Sequence, residues 1–315
     1  MKTSRKLRKA LIIALSIFLA IVITIVLIAS NFLAAYALDR NSKYSLIPSN
    51  VGGLSGTPQE GSWFYEHAKS VYIKSADGLK LHAYLIENNE EYNNGNFMMV
   101  FHGYKSCASD MTFYAEQFYD MGYSVLLPDA RAHGLSEGRY IGMGWPERKD
   151  NLLWINEIIK LNSNAKIGLF GISMGGATVI NTAGQDLPKQ VVVAVEDCGY
   201  SSVYKQFSVQ MKSIFNLPAF PMLDIASLVA YAKSGANLLE ADSTNQAAKI
   251  KIPTLFIHGS KDTFVPFEML DELYNAARCK KEKLVIEGAG HAGSSSCDPQ
   301  LYWTTVVRFI ENEMA

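Results

Sequence analysis

The chain has 315 residues, 29 basic against 30 acidic side chains, and a net charge of −1. That balance excludes an electrostatic nucleic-acid binder, because no basic stripe with interleaved aromatics follows the first nine residues. A hydrophobic content of 49% excludes a disordered chain, and the length allows one large or two ordinary domains.

Residues 1–9 carry Lys2, Arg5, Lys6, Arg8 and Lys9, whereas Ala10 to Ala29 holds no charge and only Ser16 and Thr24 as polar residues. Twenty helical residues span about 30 Å, the thickness of a bilayer's hydrocarbon core. A transmembrane signal anchor is therefore predicted at 10–30, behind a cytoplasmic basic segment at 1–9. The first charges after it are Asp39 and Arg40, so the positive-inside bias places the remainder outside the cell membrane. A cleaved signal peptide, which would release a secreted protein, is the alternative, because Ala35-Tyr36-Ala37 reads as a small-x-small site. Its apolar core normally runs only about 7–15 residues. Residues 31–64 are read as a linker, with turn formers at Asn41, Ser42, Pro48, Ser49, Gly52, Gly53, Gly56 and Pro58, settling onto a domain at 65–315 near Trp63 and Phe64.

Within that domain, Ser70–Lys74 and Leu79–Leu85 flank Asp77-Gly78, a hairpin pattern. Strands and helices then alternate. Strands are predicted at 96–101, 123–128, from Lys166 into the Gly171–Gly175 stretch, and at 190–195, 253–258 and 283–287. Helices are predicted near 109–121, 145–161, from Met174, 266–277 and 298–312. Repeated units of this kind build a mostly parallel central sheet covered by helices on both faces. One insertion at about 199–249 is too long for an ordinary connection and carries Phe207, Met211 and Phe215 among its apolar residues. It is predicted to be a small helical cap, with those three side chains toward the substrate. Cys107, Cys198, Cys279 and Cys297 fit no zinc spacing and are expected as unpaired, mostly buried thiols, with one disulfide as the alternative. No histidine–carboxylate cluster has metal-ligand spacing, and neither a metal nor a cofactor is expected.

Ligands of such sheets bind outside the carboxyl ends of the strands. Those ends carry His102-Gly103-Tyr104, Asp129, Ser173, Asp197, Asp262 and His291. Ser173 lies in Gly171-Ile172-Ser173-Met174-Gly175 between a strand and a helix, the setting of a strained turn that projects a nucleophilic hydroxyl. His291, in a glycine-flanked loop after the last strand, is the candidate base, since imidazole exchanges protons near neutrality. Asp262 is the candidate orienting acid and Asp197 its rival. The backbone N–H groups of Tyr104 and Met174 are the candidate oxyanion hole. His102, His133 and His258 precede glycines at strand ends and are read as loop-shaping, as is the stretch Asp129–Ser136.

These motifs, in the order Ser…Asp…His, resemble the α/β-hydrolase superfamily over about residues 65–315. The likeness is greatest to membrane-anchored bacterial cell-surface hydrolases and more distant to the catalytic domain of prolyl oligopeptidases. Ala132 stands where relatives commonly carry glycine. The single Gly103 departs from the glycine-rich oxyanion loop of hormone-sensitive-lipase types. The expected activity is a serine esterase acting on a small-molecule or lipid-like ester at the cell surface, tied to the membrane by its N-terminal helix. A prolyl-oligopeptidase-like peptidase and an inactive surface binding module are the alternatives.

Overall fold

In the computed structural model, residues 2–44, 59, 61–89, 91–234, 237 and 239–314 are described, so the turn formers expected at 48–58 lie outside them. The first helix, α1 (Lys2–Leu38), is continuous, and Arg5 through Ile25 is exposed along it. Among the described residues, one helix, Arg5–Leu38, is long and apolar enough to cross a membrane. It does not end near residue 30. Residues 31–38 contain no glycine or proline and three alanines, which favour continuing the helix. Its last two turns bury Ser30, Ala34, Ala37 and Leu38 against the domain.

After a short helix, α2 (Trp63–His67), the strands β1 (Ala68–Lys74) and β2 (Lys80–Ile86) form the antiparallel hairpin. Then follow β3 (Phe97–Phe101), α3 (Thr112–Asp120), β4 (Ser124–Pro128), α4 (Glu147–Leu161), β5 (Ile167–Ile172), α5 (Met174–Ala183) and β6 (Val191–Asp197). The 199–249 insertion contains α6 (Val203–Gln210), a π-helical turn at Met211–Phe215, α7 (Met222–Ser234) and α8 (Ser243–Ala247). The chain closes with β7 (Thr254–Gly259), α9 (Glu268–Ala276), β8 (Lys281–Ile286), α10 (Ser294–Cys297) and α11 (Pro299–Met314).

The eight strands form one sheet in the order β1-β2-β4-β3-β5-β6-β7-β8, parallel from β4 onward and antiparallel at the β1-β2 edge. Alternate residues feed opposite faces, as the period of two requires. Met98 and Val100 of β3 pack with Phe118, Phe170 and Phe309 on one side. Phe97, Met99 and Phe101 pack with Trp154, Val179 and Leu270 on the other. A third apolar cluster joins the end of α1 to the cap and to Tyr104, Met174 and Phe264. The chain turns to opposite sides of β3 to make β4 and β5, so a crevice opens at the carboxyl ends of β3 and β5, where sheets of this kind take ligands.

Candidate active site

Ser173 joins β5 to α5 with φ 59° and ψ −118°, a strained conformation for a residue with a side chain. Its neighbours must be small. A Cβ on Gly171 would sit 2.3 Å from the Gly175 carbonyl oxygen, and one on Gly175 would sit 2.1 Å from that of Phe101. The second approach also brings the loop after β3, with Tyr104, beside the start of α5 at Met174. The Ser173 N–H donates to the Asp197 carbonyl at 2.8 Å, pinning the turn to β6.

The loop after β8 carries His291 over this turn. Its Nε2 lies 2.8 Å from Ser173 Oγ, and its Nδ1 lies 2.7 Å from Asp262 Oδ2. A carboxylate can only accept, so Nδ1 carries the proton and Nε2 is free to accept from the hydroxyl. All three side chains are buried, with Ser173 and His291 only 6% and 8% exposed. The hydroxyl, imidazole and carboxylate thus form one hydrogen-bonded row out of bulk water, where such bonds are strengthened.

Asp262 is fully engaged. Oδ1 accepts from the Phe264 and Val265 N–H groups at 2.9 Å each, and Oδ2 takes His291 and, at 3.3 Å, His258 Nε2. Burial would raise its pKa, but the bonds from His258 and His291 outweigh it and hold the carboxyl at about 2. His258, read as loop-shaping, is therefore a second imidazole on the same carboxylate, and its ring also meets the Val265 carbonyl at 3.0 Å. Asp197, the rival acid, is turned away from this row. It accepts from Ser294 at 3.2 Å and Tyr302 at 3.0 Å, and burial pushes its carboxyl up to about 6. It braces the segment behind His291 and α11.

Tyr104 and Met174 are both buried and belong to one apolar cluster. The loop bearing Tyr104 is held by two imidazoles: His102 Nε2 accepts from the Ala130 N–H at 3.0 Å, and His133 Nε2 accepts from the Lys105 N–H at 3.1 Å. Accepting requires neutral rings. Burial lowers both, and His133 falls to about 3. Asp129 ties the neighbouring loop together, accepting from Ala108 N–H at 2.8 Å, Leu135 N–H at 2.9 Å and His82 Nδ1 at 2.7 Å. His82 carries little weight in the sequence because it occupies an ordinary position of a hairpin strand. Its partner lies 47 residues away.

Phe207 and Met211 are buried and Phe215 half-buried, and all three line an apolar slot shared with α1 rather than Ser173 itself. All four cysteines are free, but only Cys198 is buried, against the expectation for most of them. Its sulfur lies within 4.8 Å of ligand atoms of Asp262 and His291, and burial pushes the thiol well up, so it stands there protonated.

The sequence profile of the X-Pro dipeptidyl-peptidase (S15) family matches residues 77–242, more than half the chain. The chain belongs to the S15 family. The matched segment of this S15 member contains Ser173 and ends before Asp262 and His291. Among curated proteins it is similar to the uncharacterised protein YqkD of Bacillus subtilis, 28% identical over 252 residues, covering 79% of this chain and 81% of that one. Among solved structures it resembles the esterase Pf2001 of Pyrococcus furiosus, with a TM-score of 0.67 and 24% identity over 84% of this chain and 98% of that one. Acetyl xylan esterase 1 of a Thermoanaerobacterium species gives 0.58 and 19% over 79% and 84%. These likenesses establish an α/β-hydrolase fold and, with the family, a hydrolase.

Proposed function

We propose that this chain is a membrane-anchored serine hydrolase that cleaves carboxylic esters on the outer face of the cell membrane. The observation that carries the reading is the row Ser173 Oγ, His291, Asp262, at 2.8 and 2.7 Å. A free serine hydroxyl is almost inert at neutral pH and needs such a base. As Ser173 Oγ bonds to the ester carbonyl carbon, His291 Nε2 takes its proton. The carbonyl oxygen becomes an oxyanion, received by the Tyr104 and Met174 N–H groups. His291 then gives the proton to the departing alcohol, leaving an acyl-enzyme on Ser173. Water, deprotonated by the same imidazole, releases the acid and restores the serine. Asp262 stays ionised throughout and steadies the imidazolium.

The family's description favours a second reading, a peptidase acting by the same steps on an amide. Ester preference is supported by the apolar side chains that the cap and α1 bring to the crevice, which suit an acyl or aromatic group. Parallel assays of p-nitrophenyl esters and dipeptidyl p-nitroanilides separate the two. Ester turnover is expected to exceed amide turnover by at least about 100-fold, some 2.7 kcal/mol of barrier. Amide turnover without ester turnover would reverse the assignment.

A further inference from the structure

Asp262 is held by more groups than a hydroxyl–imidazole–carboxylate row requires. The turn from His258 closes with the Asp262 N–H donating to the Gly259 carbonyl at 3.1 Å. That turn is stitched to the loop bearing His291, because the Ser260 and Lys261 N–H groups donate to the Ile286 and Ala289 carbonyls at 3.0 and 2.9 Å. A carboxylate offers about four lone-pair sites, two on each oxygen. The Phe264 and Val265 N–H groups occupy Oδ1, and His291 Nδ1 takes one site on Oδ2. Among the described residues, the other group against Oδ2 is His258 Nε2, at 3.3 Å.

His258 ends β7 with its side chain fully buried. Its Nε2 lies 3.0 Å from the Val265 carbonyl, which can only accept, so Nε2 carries a proton whatever the state of Nδ1. Val265 thereby closes a ring. Its N–H donates to Asp262 Oδ1, its carbonyl receives His258, and the same His258 N–H lies against Asp262 Oδ2. The titratable groups around this ring are Glu196 and Asp197 of β6, Cys198 just beyond them, Asp262, and His291 after β8.

We infer that His258 is a positioning residue of the hydrolytic row: its Nε2–H holds Asp262 Oδ2 so that the carboxylate stays aimed at His291. This rests on the serine-hydrolase reading above and adds a fourth side chain to it. His258 acts through Asp262 in two ways. It keeps the carboxylate from tilting away from the His291 Nδ1–H. A second donor on Oδ2 also draws charge away from His291, which then remains a free base to a lower pH.

The test follows inactivation of the full-length protein by a methyl fluorophosphonate over about pH 5 to 9, the range in which an imidazole base titrates. Rates are expressed per Ser173 that labels, with the adduct located by mass spectrometry. His258→Phe lacks a donor, and the amide of His258→Asn is too short to reach the place of Nε2. Each should slow inactivation on the plateau by about tenfold and move the acid limb up by at least about 0.5 pH unit. His258→Gln carries its amide nitrogen to that place, so it should stay within about threefold of wild type with the limb unmoved. Asp197, raised to about 6, is common to every variant, so the difference between limbs carries the result. An unmoved limb in the donor-less variants, or a His258→Gln as slow as they are, would mark the ring as packing alone and overturn the assignment. If neither donor-less variant folds, the His258→Gln rate and limb alone decide. No adduct on wild-type Ser173 would take down the row itself, whereas labelling indifferent to His258 would leave the row standing.

Discussion

Ser173 holds a positive φ at a cost of about 1–3 kcal/mol, and its surroundings are built to keep it there. Gly171→Ala and Gly175→Ala would drive a methyl into backbone oxygen at 2.3 and 2.1 Å, so each is expected to destabilise the fold by about 3 kcal/mol or to abolish soluble expression, read by urea unfolding. Ala132, with φ 61°, carries a similar strain without a catalytic need. Ala132→Gly should leave stability unchanged or raise it by up to about 1 kcal/mol, since relief of the left-handed strain is offset by a freer unfolded chain. The two acidic residues separate by kinetics. Asp262→Asn should lower kcat by about 10⁴, whereas Asp197→Asn, which touches Ser294 and Tyr302, should lower stability more than kcat. The reverse pattern would mean that the orienting acid is Asp197. Ser173, Asp262 and His291 could be singled out because strand-end positions make polar residues conspicuous. His258 and His82 could not be assigned their partners, because a histidine within a strand gives no hint of which carboxylate it will meet.

At the scale of elements, the segment from Asp39 to Tyr44 straps α1 onto the loops around the crevice. Arg40 donates to the carbonyls of Ser136 and Gly134 at 2.9 and 3.1 Å and reaches that of Gly138 at 3.3 Å. Asp39 pairs with Arg139 at 3.0 Å, and Lys105 reaches the Ser42 carbonyl at 3.0 Å. Arg40→Ala should loosen this strap by about 1–3 kcal/mol, the worth of charge-assisted bonds to carbonyls, seen as faster amide exchange over residues 36–44. Unchanged exchange would show that α1 docks through its apolar turns alone. The long apolar stretch of α1 was legible from twenty uncharged residues, but its docked end was not. Apolar residues at 33, 34, 37 and 38 read equally well as the tail of the anchor, and their partners on α7 lie some 190 residues away in sequence. The strand–helix alternation made a mostly parallel sheet legible. The order of β3 and β4 depends on which neighbour each crossover reaches, and local sequence does not encode that.

Across the whole molecule, carboxyls are set far from their ordinary values in both directions, upward by burial and downward by hydrogen bonds from imidazoles. Glu196 and Glu147 are pushed up by burial to about 8 and about 7, and Asp262 is held at about 2. A raised carboxyl binds its proton more tightly when folded, so its contribution is intact below the unfolded value near 4.3 and is lost as pH rises toward 7–8. Asp262 has the opposite sign: its contribution is present above about 4 and is lost as pH falls toward 2. The buried neutral His102 and His133 act in the opposite sense up to the unfolded histidine value near 6.5, so thermal stability should fall between about pH 6.5 and 8, and Glu196→Gln, of the same shape and without a proton to lose, should flatten that fall. An equal slope in the variant would place the titration elsewhere.

The row from Ser173 through His291 to Asp262 is tested most directly by locating a covalent adduct. The full-length protein is treated with a short fluorophosphonate and the labelled peptide is identified by mass spectrometry. The adduct is expected on Ser173, absent in Ser173→Ala, and formed at least about 10³-fold more slowly in His291→Ala, as loss of a triad base requires. An adduct on a different residue, or equal labelling of wild type and Ser173→Ala, would contradict the account.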